Sequence, residues 1–293
     1  MFKGAITALI TPMKDSGVDE GALRELVDWQ IAEGIDALAP VGTTGEGATL
    51  TDAEHAKVIK TVVEQAKGRI PILAGAGTVS THHTIELSRS AKEAGADGLL
   101  LVTPYYNRPS PEGLVAHYSA VLREVSLPTV LYNVPKRTGT NMSLEVIEQL
   151  LKFKDVVAVK EASGDVSQAQ QMVMRFGDRI AVLCGDDALC LPFLSIGARG
   201  VVSVSSNVAP KAVKEVVEFH AAGQHEKALR RHQQLLALHH ALFLESSPGP
   251  VKAMLADQGR VAAEIRLPLV MPSEATLAAV KRALKQVEEG KDV

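Results

Sequence analysis

Short runs rich in Val, Ile and Leu recur along the first three quarters of the chain, at intervals of roughly 20 to 35 residues. They occupy residues 4–10, 37–42, 71–77, 98–105, 129–135, 156–162, 180–187 and 200–207. Each run is apolar nearly throughout, which is typical of strands that are buried on both faces of a parallel sheet. The pattern therefore predicts eight parallel strands.

The segments between these runs have the periodicity of amphipathic helices, and several have recognisable ends. Thr51 and Glu54 stand in a capping-box sequence, and Ser110–Pro111 offers an N-cap followed by a first-turn proline. Glycines such as Gly34 stand where a helix is expected to end. Eight strands alternating with helices predict an α/β protein with a (β/α)8 TIM barrel. An open, doubly wound sheet is the alternative, but no Gly-x-Gly-x-x-Gly follows the first strand to support it.

Beyond about Gly223 the strand pattern stops. Residues 225–244, 250–257 and 273–289 have helical spacing, with no strand expected between them. We therefore expect two domains, a catalytic barrel over residues 1–223 and a C-terminal helical domain over residues 224–293.

Composition and charge narrow the class of protein. The 293 residues are 46% hydrophobic, which provides enough apolar surface for a sizeable core. With 31 Lys and Arg against 34 Asp and Glu, the formal net charge of -3 offers no basic excess for nucleic acid. No apolar stretch approaches the roughly 18 residues that span a bilayer, and two cysteines predict neither a disulfide framework nor a zinc site. We expect a cytoplasmic protein with no nucleic-acid or membrane partner.

Lys160 is the leading candidate for covalent chemistry. In a barrel of this kind, functional groups gather at the carboxyl ends of the strands, and Lys160 lies near the end of the sixth run. Strand alternation places it on the same face as Ala158. If that face lines the barrel, burial favours the neutral amine, which can attack a carbonyl carbon. The alternative is a structural lysine that reaches solvent or pairs with Glu161.

Other polar residues follow neighbouring strands. Tyr132 ends the fifth run, where a phenol can pass a proton to and from a Schiff-base carbon. Thr43 and Thr44 lie in a glycine-rich turn whose N–H groups suit a small carboxylate, and Arg137 is able to bind a second carboxylate through two hydrogen bonds. Each residue alone has a structural explanation, as a core tyrosine, a hydroxyl-stabilised turn or a solvated arginine. Their joint placement at strand ends favours a site.

Four motifs connect these residues: GTTGE at 42–46, PYYNRP at 104–109, YNVP at 132–135 followed by RTG at 137–139, and VKEA at 159–162. Together they resemble the dihydrodipicolinate synthase family, in order and over nearly the whole chain. The resemblance implies a barrel with a C-terminal helical domain, a homotetramer built as a dimer of dimers, and no cofactor or metal. The implied reaction condenses pyruvate with L-aspartate 4-semialdehyde in lysine and diaminopimelate biosynthesis.

The resemblance also implies roles for individual residues. Lys160 forms the Schiff base with pyruvate, and Tyr132 donates and accepts protons. Thr43 completes a proton relay with the Tyr106 side chain of a neighbouring subunit. The implied substrate-binding groups are Thr44 and the backbone around Val202 for pyruvate, Gly185 in the lining of the same pocket, and Arg137 for the carboxylate of the semialdehyde.

Two other functions stay open on the sequence. A pyruvate aldolase for sugar-acid aldehydes, similar to N-acetylneuraminate lyase, shares the lysine and the tyrosine, but Arg137 and the Tyr105–Tyr106 pair favour the synthase. A silent barrel that only binds an oxo-acid is the second. It has no physical need for the full set Thr43, Tyr106, Tyr132 and Lys160.

A metal-dependent aldolase is a weaker alternative. His225, His232 and His239 recur every seven residues, which separates them by about 10 Å along a helix, too far to share one ion. Of the adjacent Asp186 and Asp187, the second is expected to cap the following helix.

Feedback inhibition by lysine is a separate question. Inhibited members of the family bind lysine near the relay tyrosine through His, Asn and Glu side chains and a tyrosine. Three positions agree with that pattern here, namely Ala48, His55 and Tyr105. Asp52, Val79 and His83 replace the expected His, Asn and Glu. Because Val79 accepts no hydrogen bond and the partner for the effector's ammonium is missing, we expect weak or absent inhibition.

Overall fold

Within residues 2–290, which the computed structural model describes, eight of ten strands form one parallel sheet that closes on itself. The eight are β1 (Gly4–Ala8), β4 (Ala37–Ala39), β5 (Leu73–Gly75), β6 (Gly98–Val102), β7 (Thr129–Asn133), β8 (Val156–Glu161), β9 (Ala181–Cys184) and β10 (Gly200–Ser203). Their order is β4-β1-β10-β9-β8-β7-β6-β5, and a parallel bridge between Leu38 and Ile72 joins the two ends. The prediction of a (β/α)8 barrel is confirmed.

Helices cover the outside of the barrel. They are α1 (Glu20–Ala32), α2 (Asp52–Ala66), α3 (Thr81–Glu93), α4 (Pro111–Glu124), α5 (Pro135–Thr138), α6 (Leu144–Leu150), α7 (Val166–Phe176), α8 (Cys190–Ser195) and α9 (Pro210–Ala221). The expected caps are present: Thr51 and Glu54 form the capping box of α2, and Ser110 accepts a hydrogen bond from the N–H of Gly113 at the start of α4. These caps define helix starts because they satisfy N–H groups that the helix leaves unpaired.

Three further helices follow the barrel: α10 (His225–Ala241), α11 (Gly249–Asp257) and α12 (Glu274–Glu288). α10 packs against both α9 and α12. The predicted domain boundary at residue 223 falls in the turn between α9 and α10 and stays a prediction. Residues 291–293, which belong to the predicted helical domain, lie outside the described residues. No helix within residues 2–290 has the length and apolar character needed to cross a membrane.

The inside of the barrel is filled by its own cluster of side chains, which is separate from the larger core between strands and helices. Ala158 belongs to the inner cluster and Val159 to the outer core, as strand alternation requires. Strand alternation would also place Val157 on the outer face, but this side chain packs against the inner cluster. The reason is a register shift beside Thr129, where β8 has one residue more than β7. Lys160 therefore stands on the inner face, above a packed lumen.

Several strands end earlier than their apolar runs. β10 stops at Ser203, and residues 205–207 form a short 3-10 turn. There the Asn207 side chain donates a hydrogen bond to the carbonyl of Ala8 (2.8 Å) and accepts one from the N–H of Ile10 (3.1 Å). The chain leaves the sheet because this side chain ties the loop after β10 to the end of β1. The antiparallel ribbon of β2 (Met13–Lys14) and β3 (Gly17–Val18) was not predicted, since two-residue strands are too short to show a period.

Candidate active site

Lys160 and Tyr132 face each other at the carboxyl ends of β8 and β7. They are register partners, and the Lys160 Nζ atom lies 4.0 Å from the centroid of the Tyr132 ring. Both side chains are buried, with 6% and 7% of their surface exposed. The structure therefore brings together the amine and the phenol that are predicted to take part in the same chemistry.

Glu161 does not pair with the amine of Lys160. Its carboxylate accepts hydrogen bonds from the side chains of Asn133 (2.8 Å) and Gln168 (3.1 Å) and from the N–H of Ser163 (2.6 Å). These partners lie outside the lumen, because Glu161 follows Lys160 on the strand and points to the opposite face. The alternative of a Lys160–Glu161 pair is wrong, and Lys160 is not exposed enough to be a lysine that reaches solvent.

Of the two predicted pocket residues Gly185 and Val202, the first lies next to the lysine. Val202 is a buried member of the inner cluster. A Cβ atom at Gly185 would lie 3.0 Å from the Lys160 Cε atom and 2.6 Å from the Cβ of Ala162, closer than real side chains pack. A glycine at position 185 therefore keeps space open beside the amine, as a covalent adduct requires.

The glycine-rich loop of residues 42–47, which we call the substrate loop, follows β4 and folds tightly against the strand ends. A Cβ at Gly45 would lie 2.7 Å from the backbone nitrogen of Val41, and the Thr11 hydroxyl donates to the carbonyl of Gly45 at 2.7 Å. Thr44 is buried within this loop, whereas Thr43 is exposed. The two threonines thus divide between the interior and the mouth of the barrel.

The remaining predicted residues lie at the exposed rim of the same end. Tyr106 follows β6, has a left-handed backbone (φ 70) and exposes 93% of its surface in the single chain. Arg137 is exposed on α5, directly after β7. The structure therefore gathers Lys160, Tyr132 and Gly185 in the interior and leaves these two side chains facing outward at the mouth.

The prediction that Asp187 caps the following helix is wrong. Asp186 is the cap, since its side chain accepts a hydrogen bond from the N–H of Ala188. Asp187 is buried and accepts hydrogen bonds from the Ser203 hydroxyl and from the N–H groups of Val204 and Ser205. One carboxylate that satisfies three donors gains more than a single cap. Asp187 therefore joins the end of β9, which Gly185 follows, to the end of β10, which contains Val202. No local sequence signal marks this role.

Two histidines of α10, His232 and His239, pack behind this junction, whereas His225 is exposed. The Nδ1 atom of His239 lies 2.8 Å from the Ser205 hydroxyl, and the His232 and His239 rings are 5.9 Å apart between centroids. Burial lowers the pKa of His239 to about 4. Within residues 2–290, no group of three or more His, Cys, Asp or Glu side chains is arranged to hold a metal ion.

Comparison with known proteins agrees with this geometry. A model of the dihydrodipicolinate synthetase family matches residues 1–287. The 4-hydroxy-tetrahydrodipicolinate synthase of Citrifermentans bemidjiense is 49% identical over 286 residues, which cover 98% of this chain and 99% of the relative.

Two solved structures have nearly the same fold as this chain. The 4-hydroxy-tetrahydrodipicolinate synthase of Methylacidiphilum fumariolicum is 42% identical, with a TM-score of 0.97 over 99% of this chain and 97% of that one. The dihydrodipicolinate synthase of Acinetobacter baumannii, solved in complex with pyruvate, is also 42% identical, with a TM-score of 0.96 over 98% and 99% of the two chains. The chain belongs to the dihydrodipicolinate synthetase family.

Proposed function

We propose that the protein acts as a 4-hydroxy-tetrahydrodipicolinate synthase, which condenses pyruvate with L-aspartate 4-semialdehyde through a Schiff base on Lys160. The observation that carries the proposal is the buried Lys160 amine, 4.0 Å from the centroid of the Tyr132 ring at the carboxyl end of the barrel. Relatives with this name cover almost the whole chain. The position of the amine matches the requirement for a nucleophile in a closed site.

The first half of the reaction prepares pyruvate for attack on the aldehyde. The Lys160 amine adds to the keto carbon, and the Tyr132 phenol gives its proton to the carbinolamine hydroxyl, which leaves as water to give an imine. Gly185 leaves room for this adduct, and Thr44 binds the substrate carboxylate through the substrate loop. The imine acidifies the pyruvate methyl group, whose proton passes back to the Tyr132 phenolate to give an enamine.

The second half forms the new carbon–carbon bond and releases the enzyme. The enamine carbon adds to the aldehyde carbon, and the aldehyde oxygen takes up a proton through Tyr132, Thr43 and the Tyr106 side chain of a neighbouring subunit. Arg137 binds the carboxylate of the semialdehyde. The amine of the semialdehyde then attacks the imine carbon and displaces Lys160, which closes the ring. One water is released for each pair of substrates.

We also infer a homotetramer in the cytoplasm. Tyr106, the relay tyrosine, exposes 93% of its surface in one chain, which suits a role in the site of a second copy.

Cys184 and Cys190 are free and buried. Burial raises the pKa of both thiols, so that they are unreactive and compatible with a reducing compartment.

The covalent step is tested by adding pyruvate and borohydride and mapping the reduced adduct by mass spectrometry. We expect the adduct on Lys160 in the native protein and its loss in Lys160→Ala, while Lys136→Ala, at the exposed rim, is labelled normally. Labelling at another lysine, or at none, would show that the proposal is wrong.

Turnover with different aldehydes separates the synthase from a sugar-acid aldolase. We expect L-aspartate 4-semialdehyde to be consumed and N-acetylmannosamine to be ignored. In Arg137→Ala the KM for the semialdehyde should rise about 10- to 100-fold, the loss expected for a charged hydrogen-bond pair, with pyruvate labelling unchanged. Turnover of the sugar alone would favour the aldolase.

A further inference from the structure

A buried ion pair ties the substrate loop to the C-terminal helices. The Lys252 Nζ atom, on α11, lies 2.5 Å from the Oε1 atom of Glu46, which belongs to the substrate loop. The two side chains are 0% and 1% exposed and lie 206 residues apart along the chain. No sequence pattern indicates this pair, because only the folded chain brings the two residues together.

The segment after α11 holds the same loop from a second side. The Oε2 atom of Glu46 accepts a hydrogen bond from the N–H of Arg266 at 3.0 Å. The Arg266 guanidinium donates to both carboxylate oxygens of Glu54 (2.5 and 2.7 Å) and to the carbonyl of Thr49 (3.1 Å). Its hydrogen bond is the main reason that the pKa of Glu54 falls to about 2. Both oxygens of Glu46 are thus engaged by the region beyond the barrel.

The backbone at Glu46 requires such support. Its φ of 56 lies in the left-handed region, which residues other than glycine avoid. Gly45, immediately before it, leaves no room for a side chain beside Val41. A strained residue in a loop persists only where surrounding contacts hold it, and strain of this kind gathers at ligand sites. The Glu46 contacts therefore determine where the N–H groups of residues 43–45 point.

The positive charge of Lys252 matters as much as the contact that holds Glu46 in place. Glu46 stands two residues from Thr44, at the place proposed to receive the pyruvate carboxylate. A buried, unpaired carboxylate there would repel an anionic substrate, because charges interact strongly away from water. Burial lowers the pKa of the Lys252 ammonium, and the Glu46 carboxylate opposes that shift. Because the charge of Lys252 cancels that of Glu46, pyruvate would meet a substrate loop without a net negative charge.

We propose that Lys252 is a positioning residue of the active site: it fixes Glu46, and through it the substrate loop, and cancels a negative charge beside the substrate carboxylate. The inference rests on the proposed function, in which this loop binds pyruvate. It makes the C-terminal helices part of the machinery for the first half-reaction.

The test compares Lys252→Met, the double variant Glu46→Gln/Lys252→Met and the control Lys281→Met. Lys281 also forms an ion pair in the helical region, with Asp257 at 2.8 Å, but is half exposed. Sites competent in each preparation are counted by pyruvate and borohydride labelling. The ratio kcat/KM is then measured per labelled site, separately for pyruvate and for L-aspartate 4-semialdehyde, so that loss of folded protein does not affect the result.

For Lys252→Met we expect kcat/KM for pyruvate to fall about 100-fold per labelled site, the loss typical of a displaced binding group, with a much smaller change for the semialdehyde. The double variant should recover part of this loss, because it no longer buries a lone carboxylate, but should remain below the native protein. Lys281→Met should match the native protein in both ratios.

Other outcomes overturn the inference. A native value per labelled site in Lys252→Met, or an equal fall for both substrates, would assign the pair to fold stability alone. If Lys252→Met does not fold, the double variant decides, since a native kcat/KM for pyruvate in that variant also contradicts the proposal. Failure of the native protein to label with pyruvate is a different result, because it refutes the proposed function before any variant is compared.

Discussion

Free space beside the Lys160 amine matters to the proposed chemistry as much as the amine itself. The imine needs room for the substrate carbon. Gly185 provides this room because it has no side chain, and its backbone φ is outside the left-handed region. Tyr132 provides the opposite wall, through contact of its ring with the amine. The two neighbours therefore limit both the volume of the adduct and the direction from which a proton arrives.

A methyl group at position 185 tests this view. In Gly185→Ala the new Cβ would lie 3.0 Å from the Lys160 Cε atom, so we expect the rate of pyruvate labelling to fall about 100-fold, as for a reactive group that is displaced. The rate is measured by quenching the labelling reaction at successive times and determining the labelled fraction by mass spectrometry. The control is Gly21→Ala, on α1, where the nearest atom to an added Cβ is 3.4 Å away. Equal rates in both variants would contradict the argument.

The expected absence of lysine inhibition rests on three side chains, Asp52, Val79 and His83. The His83 Nε2 atom lies 2.9 Å from the Asp52 Oδ1 atom, so that two of the replacements bind each other, and Val79 contributes only its carbonyl, to the Asn107 side chain. We expect millimolar lysine to leave activity unchanged within about twofold, because its ammonium finds no free carboxylate here. The triple variant Asp52→His/Val79→Asn/His83→Glu should gain inhibition. Strong inhibition of the native protein would show that other groups bind the effector.

Among the helices, α4 and α10 carry buried histidines that link stability to pH. Burial lowers the pKa of both His117 and His239 to about 4, whereas an unfolded histidine titrates near 6.5. Between these values the unfolded chain binds protons that the folded chain does not. The free energy of unfolding should therefore decrease as pH falls from about 6.5 to 4, by about 2–3 kcal/mol for each histidine.

Chemical denaturation at a series of pH values measures this effect. We expect His117→Gln to flatten the decrease, since one buried group no longer titrates. His82→Gln, at an exposed position on α3, should retain the native slope. Identical slopes in the two variants would mean that His117 takes up its proton without unfolding.

Sequence information was sufficient wherever an element depends on its own residues. Thr51 and Ser110 cap the helices they were expected to cap, because the N–H group that each satisfies lies three positions away. The roles of Asp187 and Lys252 were not predicted, because their partners belong to strands and loops that meet only in the folded barrel. Lys160 was found because a charged residue at the end of an apolar run is itself a local signal.

At the scale of the whole molecule, the exposed Tyr106 supports the proposal that a second copy completes each active site. Co-expression of Tyr106→Phe with Lys160→Ala tests this directly. A mixed dimer would contain one site with both native groups, so random pairing should restore about a quarter of native activity although each variant alone is inactive or nearly so. If Tyr106 serves its own chain, the mixture should show no gain.

The ion pair between Glu46 and Lys252 also affects when, during synthesis of the chain, the active site is completed. A ribosome extends a chain by about 5–20 residues per second, so Glu46 emerges about 10–40 seconds before its partner is made. During that interval the nascent chain carries most of the proposed catalytic groups, yet β1 still lacks its neighbour β10 for much of the time. We therefore expect activity to arise only late in synthesis, and a chain that ends before Lys252 to lack both the ion pair and the activity.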